Sequence, residues 1–247
     1  MNMTKRITSL AAALTVALAT VASAQALATF GSAEVAGFGE GSALIGTSLS
    51  TGRQGWGPVA SLVAQTYRYR SGPSAHAQAY ALSPALGLNY TTSVGAVQAA
   101  LGYSFVNTDV PDLNIIGVET GSKSGPFVSA MTNYWGNGEN SAQAIGSYGF
   151  ANEYYWSRLR ASHRLAPAVH PIYLGGEFVF QGTQKTQAIG TTGRRTSAAS
   201  RYQFGPTIEY RISPDFRVGA SGGYRGGNNN AAGTGYGRVE FLALTRW

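Results

Sequence analysis

A side-chain period of two runs through almost the whole chain, and it is plainest in the last ten residues. Val239, Phe241, Ala243, Thr245 and Trp247 share one face of an extended strand, while Arg238, Glu240, Leu242, Leu244 and Arg246 share the other. The first face suits hydrocarbon. After residue 24 no stretch reaches 18 consecutive apolar residues, so spanning helices are excluded and strands remain as the only way to cross a bilayer. Lipid offers no water to unpaired backbone groups, so strands cross it only in a closed barrel. The pattern predicts an all-β fold, an antiparallel transmembrane β-barrel of the bacterial outer-membrane type. Its aromatic Trp247 would be the assembly signal for the barrel assembly machinery.

The alternation recurs upstream. In Ser200–Ile212, residues Tyr202, Phe204, Pro206, Ile208, Tyr210 and Ile212 form the apolar face, with Arg201, Gln203, Gly205, Thr207, Glu209 and Arg211 opposite. After Ser213-Pro214-Asp215 it resumes with Phe216, Val218, Ala220, Gly222 and Tyr224. Further strands are expected over Ile172–Gln181, Tyr154–Leu165, Ser141–Phe150, Phe127–Trp135, Val94–Asn107, Gln78–Tyr90, Val59–Arg70 and Leu44–Thr51. That makes eleven segments with the closing one, and single-chain barrels have even numbers, so 10–12 strands are expected. Gly37-Phe38-Gly39-Glu40-Gly41 lacks a strand–helix unit and a following Lys-Ser/Thr, which makes it a flexible lead-in rather than a phosphate loop. Tight connections at Thr91-Thr92-Ser93, Ala166-Pro167-Ala168 and Ser213-Pro214-Asp215 read as periplasmic turns; Asp109–Gly125, Gly182–Ala199 and Gly226–Gly235 read as exterior loops.

Two domains of different fate are expected: a cleaved signal peptide over residues 1–24 and the barrel over 25–247. Lys5 and Arg6 open the signal, Leu10–Val21 is uncharged and apolar or small, and Ala22-Ser23-Ala24 supplies the cleavage site. Twelve apolar residues are too few for a helical anchor. Cleavage leaves 223 residues with a formal charge of +5, and the absence of cysteine excludes disulfides, thiolate chemistry and Cys-ligated metals. Charged residues are only 12% of the chain while Gly (33) and Tyr (14) are abundant, which suits a wall needing no charge and girdles needing aromatics. The arginines are spread over many strands and no stripe collects them, so nucleic acid is not an expected partner.

Charge instead alternates with the apolar face. Arg68, Arg70, Arg158, Arg160, Arg164, Arg201, Arg211 and Arg217, with Glu177, Glu209 and Glu240, are expected in the lumen. Facing lipid near the midplane, each would cost about 2–4 kcal/mol. Trp156 falls in the same register, and Thr207→Arg is expected to be milder than Ile208→Arg because the lumen already carries charge. Two readings of this face stand open: a paired, hydrogen-bonded filling of a narrow barrel, or a positively biased path for anionic or sugar-like solutes. An acyl-hydrolase barrel would need a histidine base beside a nucleophile. His76, His163 and His170 have no local serine partner and read as polar interface residues. Asp109 and Asp112 with Asn107 and Asn114 lack the glycine and distal glutamate of a calcium loop, so neither a metal nor another cofactor is expected.

Several of these strands resemble the BcsS-type cellulose-biosynthesis proteins. Ala144-Ile145-Gly146-Ser147-Tyr148 followed by Tyr155-Trp156-Ser157-Arg158-Leu159-Arg160 is similar to that family's GSY and YW-x-R-x-R core. Tyr173-Leu174-Gly175-Gly176-Glu177 is similar to its VGPE strand, with Gly176 where proline is common. Phe204-Gly205-Pro206, the hairpin ending at Tyr224, and Tyr103–Asp112 extend the likeness over most of residues 40–247. The resemblance implies a non-enzymatic outer-membrane accessory of cellulose or exopolysaccharide production and export. Its implied partners are outer-membrane lipid, a glucan chain and the cellulose synthase or export components. A generic small porin and a lipid A-modifying barrel enzyme are the alternatives.

Overall fold

The computed structural model describes residues 26–70, 76–109, 121–134, 138–165, 171–189, 193–227 and 233–246. The expected signal peptide, Trp247, His170, Asp112 and Asn114 lie outside the described residues. Twelve strands follow in order: β1 (Ala26–Ala36), β2 (Glu40–Ser50), β3 (Gly55–Arg70), β4 (His76–Thr91), β5 (Gly95–Asp109), β6 (Gly121–Tyr134), β7 (Asn140–Gly149), β8 (Tyr154–Arg164), β9 (Ile172–Ile189), β10 (Gly193–Ser213), β11 (Phe216–Gly227) and β12 (Thr234–Arg246). Each pairs antiparallel with its sequence neighbours, and β1 pairs with β12, so the sheet closes into a barrel with no free edge around its wall. Among the described residues no helix is long and apolar enough to cross a membrane.

The twelfth strand is β1, which was not expected. Its sequence ALATFGSAEVA is too rich in small residues for a clear alternation, yet its backbone supplies the ladder that closes the sheet. The supposed lead-in is a tight turn: Gly37–Gly39 form one 3-10 turn, with Phe38 and Gly39 at φ 63° and 71°, returning the chain into β2 at Glu40. The expected loop at Gly182–Ala199 is also corrected. Beyond Thr183 and before Arg201, β9 and β10 run on as a two-stranded ribbon to the pair Ile189 and Gly193. Its Thr, Gln and Ser content reads as loop in single-sequence terms, but cross-strand pairing supports extended backbone.

The short turns at 92–94 and 214–215 share one end of the barrel with the start of β1 and the end of β12, which makes that end periplasmic. The turns 37–39 and 150–153 lie at the exterior end, as do the strand ends at Arg70 and His76, Asp109 and Gly121, Ile189 and Gly193, and Gly227 and Thr234. The outer wall between them is apolar, with Ile45, Leu86, Leu101, Val128, Leu159, Ile208 and Val239 exposed around the belt. Trp56, 74% exposed, with Tyr90, Tyr134 and Phe216 rings the periplasmic edge; Tyr80, Phe150, Tyr202 and Tyr224 ring the exterior one. Paired aromatic girdles of this kind sit at membrane interfaces.

One motif shapes the wall. The β10–β11 ladder runs to Phe204 and Tyr224 and resumes at Thr207 and Ser221. Pro206 has no N–H to give, and a Cβ on Gly205 would lie 2.1 Å from the carbonyl oxygen of Gly222. The Phe204-Gly205-Pro206 segment therefore lets two strands approach more closely than side chains would permit.

Candidate functional site in the barrel lumen

Alternation turns the charged set inward, where its members bind one another. Arg238 on β12 is the hub. It donates to Glu34 on β1 from Nε (3.1 Å) and Nη2 (2.6 Å), to Glu177 on β9 from Nη1 (2.9 Å), and to Gln203 on β10 from Nη2 (2.8 Å). Gln203, 0% exposed, in turn donates to Glu34 at 2.7 Å. Glu177 also accepts from Ser221 (2.7 Å), Tyr236 (3.1 Å) and Arg160 (2.7 Å), so its carboxylate has four donors and no water-exposed surface. A buried carboxylate is tolerable only when paired and hydrogen-bonded on this scale.

From the hub, chords cross the lumen. Arg158 and Arg160 on β8 both reach Glu240 on β12, Arg158 at 2.9 Å, although three strands separate them in the wall. Arg158 also donates to Gln143 on β7. Arg201 on β10 holds Glu40 on β2 through two contacts of 2.7 and 2.8 Å, and Arg225 on β11 joins the same carboxylate at 3.1 Å. Tyr67 on β3 and Tyr154 on β8 stack across the barrel, centroids 6.3 Å apart and planes within 9°. Nearer the periplasm Glu209 accepts from Arg211 (3.0 Å) and Arg217 (3.2 Å), while Arg211 lies 4.1 Å above the ring of Tyr173.

Of the residues expected to line the lumen, Arg158, Arg160, Glu177, Arg201, Glu209 and Arg211 all join this lattice, and Trp156 packs with the Arg158 guanidinium 5.9 Å from its ring. Arg68 does not. It pairs with Gln78 one register step from the lumen-facing Tyr67–Ala79 pair, so it stands exposed on the outer face near the exterior rim. There the headgroup region, rather than hydrocarbon, meets its charge. The side chain of Arg70 lies outside the described residues. Sequence reasoning missed Glu34 and Glu40, because the strand and turn carrying them were not recognised, and it missed Arg238 as the hub. An acidic residue on each side of a glycine-rich turn just after the expected cleavage site was the available signal.

The chords set an expectation for permeability. Glu240→Ala removes the acceptor shared by Arg158 and Arg160 and leaves two like charges facing the lumen. Single-channel recordings in planar bilayers should show small conductance for the unaltered protein and a larger, anion-favouring conductance for the variant. Identical traces would show that this chord does not set the aperture.

The two described histidines, His76 and His163, make their bonds outside the lattice. His76 Nε2 is 2.6 Å from the carbonyl oxygen of Phe38, and His163 Nδ1 is 2.9 Å from Asn140 on the outer side of the wall. Among the described residues no group of three or more His, Asp or Glu is placed to hold a metal ion.

No known family pattern matches this sequence, and no curated protein does. Solved structures do resemble it. The β domain of the Bordetella autotransporter BrkA superposes with a TM-score of 0.51 at 12% identity, covering 89% of this chain and 98% of that one. A deletion mutant of the monoaromatic hydrocarbon channel TodX gives 0.52 at 9% identity, covering 91% of each chain. The chain is an outer-membrane β-barrel. At these identities the likeness speaks for the fold; what the barrel does must come from its own lumen.

Proposed function

We propose that this barrel is a non-enzymatic, BcsS-type accessory of cellulose or exopolysaccharide production, acting at the outer membrane on a glucan chain or on the export components that deliver it. The observation that carries the reading is the fate of the resembling motifs. Arg158 and Arg160 of the YW-x-R-x-R segment and Glu177 of the Gly175-Gly176-Glu177 segment meet in one lumenal lattice, with Arg160 and Glu177 2.7 Å apart. The third motif, at Phe204-Gly205-Pro206, shapes the wall beside them. Residues of the motifs that carry the resemblance are thus part of the lattice that fills the interior.

The bridged lumen favours an organising or docking role over free diffusion through an open pore. The described histidines, each bonded away from any serine or carboxylate, support a role without acyl-transfer chemistry. Deleting the gene in a cellulose-producing host should lower cell-associated cellulose, measured by cellulase-released glucose, while synthase activity in isolated membranes stays unchanged. Unaltered cellulose yield would overturn the proposal.

A further inference from the structure

We propose that the periplasmic mouth of the lumen is a binding site for a phosphate group on a soluble ligand, held by the guanidiniums of Arg211 and Arg217. Deeper in the lumen Glu240, Glu177, Glu34 and Glu40 each sit between two arginines, so charges of opposite sign alternate. At the mouth the alternation stops. Arg211 on β10 and Arg217 on β11 stand directly opposite each other in the ladder, a placement of like charges that destabilises a sheet unless something bridges them. Glu209 bridges them, 3.0 Å from Arg211 Nε and 3.2 Å from Arg217 Nη1, and among the described residues it is the one carboxylate that either arginine reaches. Two cations on one anion leave a unit of positive charge at this spot. Asp215, in the turn between the two strands, is engaged by Arg246 at 3.5 Å. Arg164 on β8 lies along the same inner rim, since it pairs with Tyr173 on β9 and Tyr173 pairs with Glu209.

The same geometry leaves donors over. Arg211 uses Nε for Glu209, and its guanidinium carbon lies 4.1 Å from the ring centroid of Tyr173. That ring is buried, and its hydroxyl is anchored on the carbonyl oxygen of Gly138 at 2.6 Å, so the guanidinium rests on a fixed support. Nη1 and Nη2 of Arg211, and Nε and Nη2 of Arg217, have no hydrogen-bond partner among the described residues. Water reaches both side chains, which are 24% and 32% exposed. Two guanidiniums that converge on one point, each with spare N–H groups, suit a phosphate: its oxygens accept from both forks at once, and it brings up to two negative charges. A carboxylate brings two oxygens and one charge, and Glu209 already fills that part. Because both arginines stand on the lumen side of the wall, the group arrives from the periplasmic solution and not from the lipid headgroups outside.

The test is calorimetric titration of the folded full chain, in neutral detergent at low salt and pH 8, with glycerol 1-phosphate and with succinate as probes. Both probes then carry about two negative charges, so a difference between them reports on shape. Glycerol 1-phosphate should bind, and succinate should bind at least about tenfold more weakly. Arg211→Gln and Arg217→Gln should each weaken the phosphate about tenfold, the loss of one charge-assisted contact. Arg246→Gln removes the same charge from the exposed turn pair and should bind as the unaltered protein does. Heat-modifiable gel migration verifies that each variant is folded. Phenylglyoxal modification, mapped by mass spectrometry, reads the site without any substitution: glycerol 1-phosphate should protect Arg211 and Arg217 but not Arg246. Absence of phosphate binding, equal binding of succinate, an equal loss in Arg246→Gln, or no protection of Arg211 and Arg217 would each overturn the site. Phosphatidylglycerol retained by the purified protein, and lost from the Arg211→Gln/Arg217→Gln double variant in native mass spectra, would give the arginines to a lipid headgroup and overturn the soluble ligand.

Discussion

Replacing Arg238 with alanine is expected to destabilise the barrel by about 3–5 kcal/mol, the range for breaking a buried ion pair from one side. The size follows from what the change leaves behind. Glu34 loses its two bonds from Arg238, Glu177 loses one of its four donors, and Gln203 Oε1 loses its partner. Arg225, 3.3 Å from Glu34, can compensate only in part because it also serves Glu40. Two carboxylates that face each other through one guanidinium would then repel in a region shielded from water. Arg238→Lys restores a charge but not the fork that bridges Glu34, Glu177 and Gln203 at once, so it should recover less than half of the loss. Urea unfolding in lipid vesicles checks both variants. A loss for Arg238→Ala no greater than about 1 kcal/mol, the ordinary surface ion-pair range, would show that the lattice is not the support of the fold.

The legibility of this chain divides along one physical line. A face toward lipid and a face toward a polar lumen impose a strict period of two, and that period survives in the sequence wherever side chains are large. Hence Tyr202, Phe204 and Ile208 stand outward while Gln203, Thr207 and Glu209 are buried inside, as alternation requires. Where side chains are small the signal fades, and β1 with its alanines, glycine and serine went unseen. Its loss hid Glu34, and reading β2 only from Leu44 hid Glu40, two of the five carboxylates of the lattice. Arg68 shows a different limit: alternation was read without fixing the register of β3, and near a rim an arginine can face outward without meeting hydrocarbon. The pairing partners lay beyond any pattern. Arg158 and Glu240 are 82 residues apart, and only the closure of the barrel makes them neighbours.

Occupancy of the lumen was equally hidden, and it changes which substitution tests the faces best. Ile208→Arg puts a guanidinium on the outer face at a position 44% exposed, paired with Leu174 and Ala220 in the apolar belt, and should cost about 2–4 kcal/mol. Thr207→Arg looks mild from sequence, since it adds charge to a charged interior. In the structure Thr207 is 3% exposed, and its hydroxyl is already buried without a hydrogen-bond partner. An arginine there would have to displace packed neighbours, so Thr207→Arg is expected to be costly too, through crowding rather than desolvation. Ser42 is the better inward control. It lies on the lumen side of β2, is exposed, and stands opposite Glu34 in the ladder, so an arginine at this position meets space and an acidic neighbour. Ser42→Arg should change stability by no more than about 0.5 kcal/mol, the range for surface substitutions. Ile208→Arg should also lower the fraction of heat-modifiable protein recovered from the outer membrane. If unfolding in lipid ranked Ser42→Arg as the worse of the two, the inner and outer faces would be exchanged, and with them every assignment of the arginine–glutamate lattice to the lumen.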